Sequence, residues 1–251
     1  DTRTFTIPTQ STLKYLFDTH IGNGTTFEES LSNTTWTPIN VDGYNGADVV
    51  TIEGNGATIE GLTAPLFHGG FAGGSGIVIK DLTIADSNIV STNKTGSGAF
   101  IEYVDSMDVI TLVNCHLINS TVSGSRTGGL IGYTAGYNNV NDGAVKTNIT
   151  IKNCSIDGCK IYGTGTTGGF VGQSGANAWT YTEILNSTIS NTEIKTADAS
   201  KGAGIYVGTA NVGETTITDC NYANITGATE LCGRYSFGTT GKLIIDGVDV
   251  A

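Results

Sequence analysis

Three carboxylates, Glu102, Asp105 and Asp108, lie close together in the sequence. Glycoside hydrolysis needs two carboxyl groups about 5–9.5 Å apart across one cleft, one to protonate the leaving oxygen and one to attack or to activate water. A lyase needs Ca²⁺-holding carboxylates and a base that removes a proton. Arginine occurs only at positions 3, 126 and 234, and lysines such as Lys80 and Lys152 fall on positions expected to face outward from strands. If the chain is an enzyme, Glu102, Asp105 and Asp108 are its candidate catalytic residues. The preferred reading is non-catalytic.

The other reactive side chains point the same way. His20, His68 and His116 are scattered, and His116 is expected to face solvent. Five cysteines, at 115, 154, 159, 220 and 232, form no CxxC pair, so no zinc site is expected. They are read as buried free thiols acting as small hydrophobes. Asn139-Val140-Asn141-Asp142-Gly143 carries the oxygens and glycine of a Ca²⁺ loop but lacks the spaced acids and closing Glu, and it reads as a plain turn. There is no GxSxG, HExxH, phosphate-binding or dinucleotide fingerprint. No cofactor or metal is expected.

Composition narrows the class of protein. Gly at 36, Thr at 39 and Asn at 20 supply 95 of 251 residues, charged types only 14%, and Pro only 3. Helical bundles draw on other residues. With 38% hydrophobic residues, a core can form and disorder is not expected. A net charge of -11 leaves no basic stripe with which to displace counterions from phosphates, so nucleic acid is a poor partner. No apolar run is long enough to span a bilayer as a helix. The absence of a basic and apolar leader fits either a cytosolic protein or a mature secreted one, and composition favours the second.

The elements that would position any site come from a repeat. Lys80-Asp81-Leu82-Thr83-Ile84, Val113-Asn114-Cys115-His116-Leu117, Lys152-Asn153-Cys154-Ser155-Ile156, Leu185-Asn186-Ser187-Thr188-Ile189 and Thr218-Asp219-Cys220-Asn221-Tyr222 align on Asn or Asp, spaced by 33, 39, 33 and 33 residues. Alternating β-branched residues precede most of them, as in Ile77-Val78-Ile79 and Ile149-Thr150-Ile151, which reads as strand. A shorter apolar stretch follows, and then a glycine-rich strand such as Gly128-Gly129-Leu130-Ile131-Gly132 or Gly168-Gly169-Phe170-Val171-Gly172. Each period of 33 to 40 residues therefore holds three short strands.

Three strands cannot bury an inner face alone, but stacked coils can. The predicted fold is all-β, a single-stranded right-handed parallel β-helix, with handedness following the rule for parallel crossovers. The Asn/Asp column is read as structural, at corners with left-handed backbone, its amides forming an internal ladder. Leu13, Leu16, Phe17 and Ile21 fall on one helical face after Ser11, predicting a capping helix over 9–22. Residues 1–48 would form this cap and the first strands, 49–225 the repeated coils, and 226–251 a final coil. Together they make one domain.

Trp36-Thr37-Pro38-Ile39, Glu53-Gly54-Asn55-Gly56-Ala57-Thr58-Ile59-Glu60-Gly61-Leu62, Leu66-Phe67 and Ile79-Lys80-Asp81-Leu82 resemble the opening of bacterial surface proteins with GLUG motifs. Gly129-Leu130-Ile131-Gly132 and Gly169-Phe170-Val171-Gly172 look like the motif itself. The resemblance covers about residues 36 to 210. It implies a secreted or surface-anchored bacterial adhesin-like β-helix and implies no catalytic residues.

Segments after each glycine-rich strand vary in length and should stack along one edge, carrying Tyr103, Tyr133, Tyr137, Trp179 and Tyr181. Aromatic rings beside Asn, Gln and Asp suit sugars. The leading expectation is a non-enzymatic module that binds glycans or host surface glycoproteins through this edge. A carbohydrate-active enzyme and a structural spacer stay open beside it.

Overall fold

The computed structural model describes residues 3–6, 20–21, 25–26, 38–40, 49–70, 76–92, 95–105, 109–135, 147–175, 180–211, 213–235 and 242–250. These residues are all-β and contain no helix, so none is present that could cross a membrane. Three sheets of parallel strands carry the fold. The first runs through Val49–Glu60, Gly76–Ala85, Val109–Ile118, Thr147–Lys152, Thr180–Leu185, Gly213–Thr218 and Lys242–Ile245. Asn88–Val90, Thr121–Gly124, Lys160–Gly163 and Glu193–Thr196 make the second. The third includes Phe67–Gly70, Ile101–Asp105, Ile131–Ala135, Val171–Ser174, Ala203–Ala210 and Glu230–Tyr235.

The chain visits the sheets in turn, and each repeat pairs with the next. Lys80 pairs with Val113, Val113 with Lys152, Lys152 with Leu185, and Leu185 with Thr218. Those steps reproduce the 33- and 39-residue spacings of the sequence. Inward residues form columns with exposures of 2% or less, such as Ile79, Leu112, Ile151, Ile184 and Ile217, or Ile89, Val122, Ile161 and Ile194. Each such side chain contributes roughly 1.5–3 kcal/mol by leaving water.

The glycines of the repeated motif mark a contact between two backbones. A Cβ on Gly128 would lie 2.0 Å from the Ile131 carbonyl oxygen, and one on Gly132 would lie 2.3 Å from the Ser97 nitrogen. The short strands Thr127–Gly128 and Thr167–Gly168 therefore lie directly against the strands that follow, a packing closed to any side chain.

Two columns of left-handed corners bend each repeat. Asp81, Asn114, Asn153, Asn186 and Asp219, with φ between 46° and 54°, form the column expected from the sequence. Five residues later Asp86, Asn119, Gly158, Asn191 and Asn224 form a second, which sequence reading missed. The Asn/Asp ladder is not internal as expected. Asn114 Nδ2 donates to Asp81 Oδ1 at 2.6 Å in an exposed position, because a left-handed corner turns its side chain outward.

The inner ladder belongs to the small Ser, Thr or Cys that follows most of the corners, Leu82 and Ile225 being the exceptions. The backbone N–H of Ser87 donates to Ser120 Oγ (3.1 Å), that of Ser120 to Cys159 Sγ (3.4 Å), that of Cys159 to Thr192 Oγ1 (3.4 Å), and that of Cys154 to Ser187 Oγ (3.1 Å). Each side chain also donates to the carbonyl two residues before it, as Ser120 does to Ile118 (2.7 Å) and Cys159 to Asp157 (3.2 Å). Buried backbone donors need partners, and Ser, Thr and Cys serve interchangeably because each accepts and donates. All five cysteines are free thiols, Cys220 alone being only partly buried. Burial pushes the Cys159 and Cys232 thiols up to about 11.

His116 is not simply solvent-facing. It is half-buried, its Nδ1 2.7 Å from Ser155 Oγ and its Nε2 3.1 Å from Asn114 Oδ1, and burial holds its pKa below the ordinary value.

Of the predicted helix over 9–22, residues 9–19 and 22 lie outside the described residues. His20–Ile21 are extended and pair antiparallel with Thr25–Thr26, so the predicted helix does not reach its expected end. At the other end, Lys242–Ile245 turns through Asp246 and Gly247, both left-handed, into Val248–Asp249, which pairs antiparallel with it. A strand this short blunts the sheet edge.

Thermal or chemical unfolding tests the corners. Asn153→Val should lower stability by about 1–2 kcal/mol, the cost of left-handed backbone for a side chain with a Cβ, whereas Asn153→Gly should be near neutral. Cys159→Ala should cost about 1–3 kcal/mol by orphaning the Ser120 N–H, and Cys159→Ser should recover most of that loss.

Candidate functional site

Glu102 is 6% exposed and holds two internal donors. His68 Nδ1 lies 2.5 Å from its Oε2, and the Ser91 hydroxyl donates to its Oε1. A hydrolase triad needs the histidine to bridge the serine and the acid. Here the carboxylate bridges, so the order of a triad is not reproduced, and Glu102 ties both His68 and Ser91 to its own strand. Asp105 pairs with Ala135 and Gly70 in the third sheet, while Asp108 lies outside the described residues. No group of three His, Cys, Asp or Glu side chains that could hold a metal exists among the described residues. The Asn139–Gly143 loop is outside them.

Of the expected aromatic edge, Tyr103 and Tyr133 are brought together. They are register partners on adjacent strands, their rings stacked at 5.4 Å and 14°. The His68 ring is 6.3 Å from Tyr103, and the Arg126 guanidinium sits 4.6 Å over the Tyr133 ring. Tyr133 is only 8% exposed, so its ring is used largely within the protein. Tyr181 lies on another sheet, paired with Asn148 and Glu214 in the first. The segments expected to share one edge begin on the third sheet and end on the first, which separates it from the tyrosine pair. Tyr137 and Trp179 lie outside the described residues.

An open groove of about 620 Å³ lies elsewhere, along the ends of the second-sheet strands. Val90, Ser123, Tyr162 and Lys195 line it as one register column, and the next column is Ser91, Gly124, Gly163 and Thr196. The groove thus crosses four strands, about 14 Å at the usual interstrand spacing. Glu193 accepts from both the Tyr162 hydroxyl and Lys195 Nζ. These bonds, that of Lys195 first, hold the Glu193 carboxyl below the usual carboxylate range, and the carboxylate in turn raises the Tyr162 phenol. Sequence reading missed the column because Tyr162 looked like one apolar residue at the end of a strand. The steps from 90 to 123, 162 and 195 follow the repeat and would have aligned it.

Glu102→Ala removes an acceptor shared by two strands and should cost about 1–3 kcal/mol in unfolding experiments. Glu102→Gln, which keeps an acceptor in the same place, should cost less.

No family model matches this chain and no curated protein does, so the likeness to GLUG-motif proteins stands on its motif residues alone. Among solved structures, the chain is similar over 88% of its length, and 69% of the other's, to a Bacteroides ovatus protein described as a putative immunoglobulin A1 protease, with a TM-score of 0.42 and 14% sequence identity.

Proposed function

We propose that residues 1–251 form one right-handed parallel β-helix domain that acts as a non-enzymatic, adhesin-like glycan-binding module of a secreted or cell-surface bacterial protein. The groove across the second sheet carries this reading. Its described lining offers the Ser123 hydroxyl, the Lys195 ammonium and one ring, Tyr162. Polar groups for hydroxyls beside an apolar ring face suit a sugar. No Asp, Glu or His belongs to that lining, and its two titratable side chains, Tyr162 and Lys195, are both bonded to Glu193. The sequential visit to three parallel sheets supports the β-helix, and the crossover rule supports its hand. Tyr137 and Trp179 are kept as proposed additional contacts, and glycans or host surface glycoproteins as the partners.

The test is a panel of plant, mucin and bacterial polysaccharides, with retained protein and released reducing ends read in the same wells. Retention without release is expected. Tyr162→Ala should weaken retention several-fold, the scale of one aromatic contact of about 0.5–1.5 kcal/mol. Released sugar ends would favour the enzyme reading instead, and neither signal would favour a spacer.

A further inference from the structure

A second cleft, of about 330 Å³, gathers most of the arginine in this acidic chain. Arg126 and Arg234, two of only three arginines, line it together with Lys201. One wall is a column of register partners on the third sheet, Gln173, Thr209 and Arg234, and Tyr133 continues the same column beyond Gln173. The bends before the short glycine strands form the other wall, with Arg126, Thr166 and Lys201. No Asp or Glu belongs to the lining. The nearby Asp198 carboxylate accepts from the backbone N–H and hydroxyl of Ser200 at 3.0 and 2.6 Å.

Arg126, Arg234 and Lys201 line one cleft of a chain whose net charge is -11 and make it locally positive, and the bonds from Ser200, helped by the charge of Lys201, hold the Asp198 carboxyl below its ordinary value. Arg126 is held in place by its bond from Nη1 to the Thr95 carbonyl (3.0 Å) and by its seat over Tyr133. Two further side chains of the lining are unfinished. Thr166 and Thr209, 7% and 4% exposed, have hydroxyl oxygens without a hydrogen-bond partner. Buried polar groups are rarely left so.

We infer that this cleft is an anion-selective subsite for one acidic sugar unit, a ring bearing a carboxylate or a sulfate. Guanidinium groups match either anion with paired hydrogen bonds. Gln173 and the two threonine hydroxyls match ring hydroxyls, which an acidic peptide would leave unmet. The inference rests on the glycan-binding reading and deepens it, adding an arginine-lined subsite to the second-sheet groove.

Calorimetry at low salt tests it with four probes: trigalacturonate, its carboxyl-reduced form, a sulfated carboxyl-reduced form, and a short poly-glutamate peptide. At least one anionic sugar should bind about tenfold or more tighter than the neutral one, the scale of one charge-assisted hydrogen bond. The two anionic arms show which group is taken. Arg234→Gln and Lys201→Gln, both at exposed positions, should each reduce that preference while leaving neutral binding and thermal stability unchanged. Tyr162→Ala should leave the preference intact. Equal affinity for acidic and neutral sugars would overturn the inference alone, as would a preference indifferent to Arg234→Gln or a peptide that binds as tightly as the sugars. Binding of no saccharide from any source would bring down the glycan reading with it.

Discussion

Everything in this fold depends on keeping the backbone of one repeat hydrogen-bonded to the next through the corners. Strand ladders do this along the flats. At a bend the ladder is interrupted, and a buried N–H without a partner costs about as much as several favourable contacts contribute. The chain solves the problem at most corners with one device: a left-handed Asn, Asp or Gly, then a small residue whose oxygen or sulfur accepts from the repeat before it. Ser120, Cys159 and Thr192 are three versions of that device. Their shared chemistry explains why cysteine, serine and threonine stand in for one another at these positions.

Once the repeats are locked in register, function becomes a matter of columns. A residue at one position of a repeat stands beside its counterparts one strand away, so a binding surface is written down the stack and not along the chain. The second-sheet groove reads Val90, Ser123, Tyr162 and Lys195; the charged cleft reads Gln173, Thr209 and Arg234. The two buried columns named above are all branched aliphatic residues, Ile, Leu or Val, whereas these outer columns change residue type at every strand. Under the proposed reading, that variation is what would let a regular stack carry a specific site.

The repeat was legible in the sequence because its marker is chemically demanding: only a few residue types take a left-handed corner, and Asn or Asp stands at 81, 114, 153, 186 and 219. The second corner hid behind a mixed column in which Gly158 replaces Asn. The glycine motif was visible, but not its reason, which is a backbone contact between distant residues. Sites were less legible. Tyr103 and Tyr133 are visible in the sequence as aromatic residues, but the stacking of their rings and the seat of Arg126 over one of them come from strand register. Glu102 is visible as a candidate only if the chain is an enzyme, and its bonds to His68 and Ser91 come from residues distant in sequence or on another strand. Arg126 and Arg234 stand 108 positions apart in sequence, and only the strand pairing carried through three successive repeats brings them to one cleft.

The most direct test of the central claim, that ligands are read by columns across stacked strands, is the shift of backbone amide resonances as a retained glycan is titrated into the protein. The account predicts that Gly124, Gly163 and Thr196 move together, because they occupy one register position on neighbouring strands. Shifts confined to a single repeat, or to residues away from both clefts, would contradict it.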